Sequence, residues 1–111
     1  MVERSAIVLS TGRLVRWSSG GAAHVDFDWA WVLKREEAKG DVAGFFHTHP
    51  AGFSAMSARD RATMEAWAVS FGKPLLCAIR CGRETRAWMC DKSGGARGIE
   101  IGWNRSKLIW T

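Results

Sequence analysis

Phe45-Phe46-His47-Thr48-His49-Pro50 is the stretch that decides the fold, because it joins the end of an apolar run to two closely spaced histidines. Successive side chains of a strand point to opposite faces, so His47 and His49 are expected to share one face. Pro50 has no N–H to donate and is expected to end the strand. The stretch therefore predicts a strand over 41–49 that ends in a two-imidazole arm.

A helix start signal follows this strand after a short loop. Ser57 is a typical N-cap residue, and Asp60 falls at the third helical position, where its carboxylate lies in the first turn. The apolar spacing predicts a helix that runs to Phe71 and ends at Gly72. The loop is long enough to return Asp60 to the histidines. The simpler alternative is that Ser57-x-x-Asp60 does nothing but cap the helix.

His47, His49 and Asp60 would together form a metal site. Two imidazole nitrogens and one carboxylate are donor types that zinc prefers, and a catalytic zinc uses three protein ligands. The fourth position then remains for water, which zinc makes acidic enough to attack near neutral pH. The sequence predicts a Zn²⁺ site at these three residues, with solvated or capping histidines as the alternative.

The pattern His47-x-His49-x7-Ser57-x-x-Asp60 resembles the signature of the JAMM (JAB/MPN) zinc metalloproteases. The resemblance implies that the three residues bind zinc and that Ser57 helps to hold the tetrahedral intermediate. It also implies a general base from an early strand, and Glu3 ahead of Ser5-Ala6-Ile7-Val8-Leu9 fits that place. Glu36 and Glu37, which we expect to be solvated at a helix end, remain rival candidates for the base.

This resemblance also carries expectations about fold and substrate. The implied fold is the JAB/MPN fold, which is similar to that of the cytidine deaminases. The implied activity is that of a peptidase or isopeptidase acting on the C-terminal tail of a ubiquitin-like protein. A non-catalytic MPN-type scaffold is the alternative. A nucleoside deaminase is disfavoured, because its His-x-Glu and Pro-Cys-x-x-Cys motifs are missing from the sequence.

Composition restricts the class of protein further. With 111 residues and 47% apolar residues, the chain is expected to form one domain over 1–111. No apolar run reaches the length of a membrane span and the start lacks the pattern of a signal peptide, so a cytoplasmic protein is expected. Three cysteines without a C-x-x-C pair favour neither disulfides nor a zinc ribbon, and Cys77 is expected in the core.

The net charge of +5 raises the question of partners. The basic residues are scattered, and no nucleic-acid motif accompanies them, so neither nucleic acid nor membrane is expected as a partner. A solvated basic surface is the expected interpretation of the charge, and an acidic protein partner is the alternative. Because chain ends fray unless they are paired or covered, the strand that begins near Glu3 is also expected to need a sheet neighbour or a protein partner.

The remaining segments predict a mixed α/β domain with a curved mixed sheet flanked by two main helices. His24 is expected to be a surface or core-edge residue without a ligand role. The predicted elements are a hairpin of 6–9 and 14–17, a loop over 18–21, a helix over 29–39 between Asp28 and Gly40, a strand over 75–79 with its hairpin partner 86–90, an edge strand over 99–103 and another over 108–110.

Overall fold

The computed structural model describes residues 3–20, 27–49 and 55–111. Within these ranges the chain forms a mixed α/β fold, as predicted, while His24 and Gly21 lie outside the described residues. The elements are two helices, α1 Trp29–Lys39 and α2 Ala58–Phe71, and eight strands, β1 Glu3–Leu9, β2 Leu14–Gly20, β3 Val42–Thr48, β4 Leu75–Cys81, β5 Glu84–Cys90, β6 Ala96–Ile99, β7 Gly102–Asn104 and β8 Lys107–Ile109.

Six strands form one sheet in the order β2-β1-β3-β4-β5-β6, and β7 and β8 form a separate hairpin. β3 lies in the interior of the sheet, antiparallel to β1 and parallel to β4. The β3–β4 pair is tight at Gly44, where a Cβ would meet the Leu76 carbonyl oxygen at 2.0 Å. A glycine is therefore required for β3 to approach β4 at this point.

The sheet buries a separate apolar cluster on each face. One face, here called the helix face, packs Ile7 and Phe45 against Val32 of α1 and Met64 of α2. The opposite face, here called the hairpin face, packs Phe46 and its neighbours against Leu108 of β8. Both helices therefore cover the same face of the sheet, and the C-terminal hairpin packs on the other.

Both helices begin and end where the sequence predicts. The Asp28 side chain accepts the Trp31 N–H at 3.2 Å at the start of α1, and Gly40 ends α1 in the left-handed region at φ 63°. Ser57 caps α2, and Gly72 ends it at φ 67°. These ends follow from local chemistry, since a side-chain oxygen satisfies a free N–H and glycine tolerates positive φ.

The first hairpin is longer than predicted. β1 starts at Glu3, and β2 continues to Gly20, so the expected loop over 18–21 is wrong for its described part. Pairing across the sheet outweighs the weak strand preference of these serines, because Ser5 and Ser18 are opposite each other and their hydroxyls are 2.6 Å apart. The Glu3 end of β1 is thus paired with β2, through Glu3 opposite Gly20.

The C-terminal segment also differs from the prediction of one edge strand over 99–103. β6 pairs with β5 as far as Ile99, and the chain then leaves the sheet before β7 begins at Gly102. The β7–β8 hairpin buries Leu108 against the hairpin face, and this burial gives the reason for the break. The strand expected over 108–110 is found at Lys107–Ile109. Neither described helix is long and apolar enough to span a bilayer.

Candidate metal centre

The end of β3 places both histidines on the helix face. Side chains alternate along this strand, so His47 and His49 share the face of Phe45, and their ring centroids are 4.6 Å apart. His47 is buried between Ser5 of β1 and Ile79 of β4 in the register of the sheet. The predicted two-imidazole arm is therefore present.

Asp60 reaches this arm from the first turn of α2. Its backbone N–H donates to the Ser57 hydroxyl at 3.0 Å, and its carboxylate Oδ2 accepts the Ser57 N–H at 2.9 Å. This reciprocal pair is a capping box, which fixes the rotamer of the Asp60 side chain as well as the helix start. The same bonds that begin the helix thus orient the carboxylate.

The three side chains converge on one point. The His47 Nε2 atom lies 3.4 Å from Asp60 Oδ1, and the His49 Nε2 atom lies 3.5 Å from Asp60 Oδ2. Their ligand atoms all lie within 4.8 Å of one another. Hydrogen bonds of this kind are usually about 2.7–3.2 Å long, whereas ligands about 2.05 Å from a tetrahedral ion are about 3.3 Å apart. The group can therefore hold a metal ion.

The charge of Asp60 suits a ligand. Burial raises the pKa of this carboxyl, but the neighbouring His47 ring and the hydrogen bonds with Ser57 together lower it by more. The resulting pKa is about 2, below the usual value. Asp60 is therefore ionised at neutral pH and supplies a negative oxygen. A metal ligand must be deprotonated, so no proton has to leave this group when an ion binds.

The outer side of His47 departs from the usual pattern. A metal-binding histidine usually donates its second ring N–H to an acceptor, which fixes the tautomer. The Nδ1 atom of His47 is buried and makes no hydrogen bond within the part of the chain that the structure describes. The orientation of this ring therefore depends on its packing between β1 and β4 and on the contact of Nε2 with Asp60.

Glu3 lies on the correct side of the sheet for the predicted general base. It is the first residue of β1 and half-buried, and it shares a face with Ser5, which pairs directly with His47. Continuing that antiparallel register by two residues places Glu3 opposite His49. Glu3 is not a member of the convergent ligand group. The register is therefore compatible with a base that is not itself a ligand.

Glu36 and Glu37 lie near the other end of β3. The Glu36 carboxylate contacts Lys73 Nζ at 2.9 Å and accepts the Val42 N–H at 3.2 Å, so the prediction that it is solvated is wrong. Glu37 is exposed, as predicted. From Val42 to His47 the strand advances five residues, about 16 Å. Glu36 therefore stabilises the junction of α1, β3 and the loop after α2.

Two residues near the centre were not singled out from the sequence. Ser5 is fully buried beside His47, and Thr48 between the histidines accepts the Arg4 N–H at 2.9 Å. A serine inside an apolar strand is a detectable signal for Ser5. Cys77 is buried as predicted, and burial together with the nearby Asp60 charge raises the pKa of its thiol well above the usual range. This environment does not suit a nucleophile.

No family model matches the chain, and no curated protein matches it either. The functional interpretation therefore depends on the donor set, the distances and the position of the neighbouring residues.

Proposed function

We propose that this chain is a zinc-dependent metallopeptidase of the JAMM type, which hydrolyses an amide bond at the C-terminal tail of a ubiquitin-like protein. The observation that carries the proposal is the convergence of His47 and His49 on the Asp60 carboxylate, at 3.4 and 3.5 Å. Two imidazoles and one carboxylate are a donor set of hydrolytic zinc. When bound, zinc supplies Lewis acidity and makes water nucleophilic near neutral pH.

Glu3 is assigned the role of general base in this proposal. Its carboxylate takes a proton from the attacking water and later gives it to the leaving amine, so that no net proton is lost from the site. Its position on the helix face of β1, next to but not among the ligands, supports this role. The contacts of Glu36 at the far end of β3 favour Glu3 over this rival.

Ser57 can serve as the oxyanion donor without giving up its cap. Its oxygen accepts the Asp60 N–H through a lone pair, while the hydroxyl hydrogen is a separate donor. A preorganised donor directed at the developing oxyanion contributes about 10²–10³ in rate. The two interpretations of Ser57 from the sequence are therefore compatible. The substrate class comes from the resemblance, and a net charge of +5 supports an acidic partner.

The decisive experiment combines metal content with cleavage. Wild-type protein reconstituted with zinc is expected to hold one ion per chain by mass spectrometry of the metal, and to cleave a ubiquitin-like protein extended beyond its C-terminal tail. His49→Ala is expected to lose most of the metal and all cleavage, while Lys34→Ala, an exposed change on α1, keeps both. Absence of stoichiometric zinc in the wild type would refute the metal centre. Stoichiometric zinc without cleavage of any such fusion would instead favour the non-catalytic scaffold.

A further inference from the structure

The backbone pairing between β1 and β3 ends near Glu3, and a hydrogen bond to a side chain follows it. The paired residues run from Leu9 opposite Val42 to Ser5 opposite His47. At the next position, the Arg4 N–H donates to the Thr48 hydroxyl at 2.9 Å, and the same hydroxyl lies 3.5 Å from the Arg4 carbonyl oxygen. The Thr48 hydroxyl therefore replaces a backbone acceptor for the Arg4 N–H.

The neighbourhood explains why a side chain is needed at this point. The His49 N–H donates to the Arg80 carbonyl oxygen at 2.9 Å, so the end of β3 is held to β4 by its backbone, whereas the β1–β3 pairing ends at Ser5 opposite His47. β1 is paired on its other side with β2, through Glu3 opposite Gly20 and Arg4 opposite Ser19. However, β2 is the edge strand of the sheet, so this pairing does not fix Glu3 relative to the histidines.

We propose that Thr48 is a positioning residue, which holds the Glu3 end of β1 in register with the strand that carries His47 and His49. The inference rests on the proposed function, because it concerns the residue assigned as general base. Glu3 is adjacent to the bonded residue and lies on the same face of β1 as Ser5, which pairs with His47. The Thr48 side chain itself lies on the opposite face from the ligands, so it acts through the backbone of β1.

The side chain of Arg4 strengthens this link. Its guanidinium carbon lies 4.8 Å from the centroid of the Trp17 ring of β2, a cation–π contact. Arg4 is therefore fixed to β2 by its side chain and to β3 by its backbone. Loss of the Thr48 hydroxyl leaves the contact of Arg4 with β2 in place and removes its hydrogen bond to β3. Glu3 can then move with β2, and a misplacement of about 1 Å at a reacting group can reduce turnover about 10²-fold.

Two variants of Thr48 separate the hydroxyl from the shape of the side chain. Thr48→Val is nearly isosteric and retains the branched Cβ that suits a strand, whereas Thr48→Ser retains the hydroxyl and loses the methyl group. Thr48→Val is expected to keep its zinc and lower kcat about 10–100-fold, with little change in KM. Thr48→Ser is expected to restore kcat to within about threefold of the wild type.

A second readout does not depend on activity. Amide hydrogen exchange of Arg4, measured in the zinc-loaded protein, is expected to become about five- to tenfold faster in Thr48→Val and to return in Thr48→Ser, because one hydrogen bond is lost and regained. In a Glu3→Gln background, Thr48→Val is expected to have no further effect on residual turnover, since Thr48 acts through Glu3.

Each outcome decides the proposal. Wild-type turnover in Thr48→Val, or the same fold loss with and without Glu3→Gln, would show that Thr48 does not act through Glu3. Unchanged exchange at Arg4 would show that the hydroxyl does not hold this end of β1. If the wild type binds zinc but cleaves nothing, the proposed function fails by itself, and the exchange rates still decide whether Thr48 fixes β1 against β3.

Discussion

Ser57→Ala tests whether this serine is more than a helix cap. The substitution removes the acceptor of the Asp60 N–H at the start of α2. Loss of such a cap costs about 1 kcal/mol of stability. For 111 residues the unfolding entropy is about 0.23 kcal/mol/K, so the melting temperature should fall by about 4 °C. If Ser57 also donates to the oxyanion, kcat should fall about 10²–10³-fold with zinc retained.

Two further variants separate stability from turnover. Glycine at an N-cap costs only a few tenths of a kcal/mol, so Ser57→Gly should melt within about 2 °C of the wild type but still lack the hydroxyl donor. Asp28→Ala removes the N-cap of α1, where the side chain accepts the Trp31 N–H and binds Arg16, and should lower the melting temperature without changing turnover.

The measurements are calorimetry, metal content and single-turnover cleavage on all three proteins. Loss of turnover that follows the loss of melting temperature across the series would assign Ser57 to the cap alone. A Ser57→Gly variant with wild-type kcat would refute the oxyanion role directly. Loss of zinc in Ser57→Ala would instead show that the cap is needed to present Asp60.

Three other predictions address the remaining groups. Glu3→Gln should keep zinc and lose nearly all cleavage, whereas Glu36→Gln should lower the melting temperature and leave kcat unchanged. Metal and cleavage assays measure both variants. An active Glu3→Gln variant beside an inactive Glu36→Gln variant would assign the general base to α1. In the zinc-free protein, Asp60 has a pKa of about 2, below its ordinary 3.8. The stability that its ionised form contributes, up to about 2 kcal/mol, is therefore present above about pH 4 and is lost as the pH falls through 2. Urea unfolding at pH 5, 3 and 2 measures this loss, and a loss that is complete by pH 3.5 would contradict the prediction. Burial raises the pKa of the Cys90 thiol to about 11, so iodoacetamide at pH 8 should modify the half-buried Cys81 first. Mass spectrometric mapping of the modified cysteines measures this order. Equal modification of Cys90 would show that this part of the core opens.

The elements whose ends depend on local chemistry could be predicted from the sequence. Asp28, Ser57, Gly40 and Gly72 each satisfy a free backbone group or adopt a positive φ, and these requirements do not depend on the rest of the fold. The same holds for the two histidines, since strand alternation alone places them on one face. Asp60 could be placed because a capping box leaves its side chain few orientations.

What could not be predicted depends on contacts between distant segments. Ser18 and Ser19 have the composition of a loop, and only pairing with β1 makes them part of a strand. The break after Ile99 follows from the burial of Leu108 on the other face of the sheet. The role of Glu36 required knowledge of Lys73, which lies 37 residues further along the chain. The local sequence around each of these residues does not indicate which distant residue it will contact.

One oxygen of Asp60 belongs both to the helix start and to the candidate metal centre, because Oδ2 accepts the Ser57 N–H while facing His49. Its orientation is therefore set by the helix start, and an ion that bound here would not have to restrict that side chain again. The affinity of this site for a metal ion would therefore depend on how well the first turn of α2 is formed. If an ion binds here, a change that frays this turn would weaken its binding even at a position that never touches the ion.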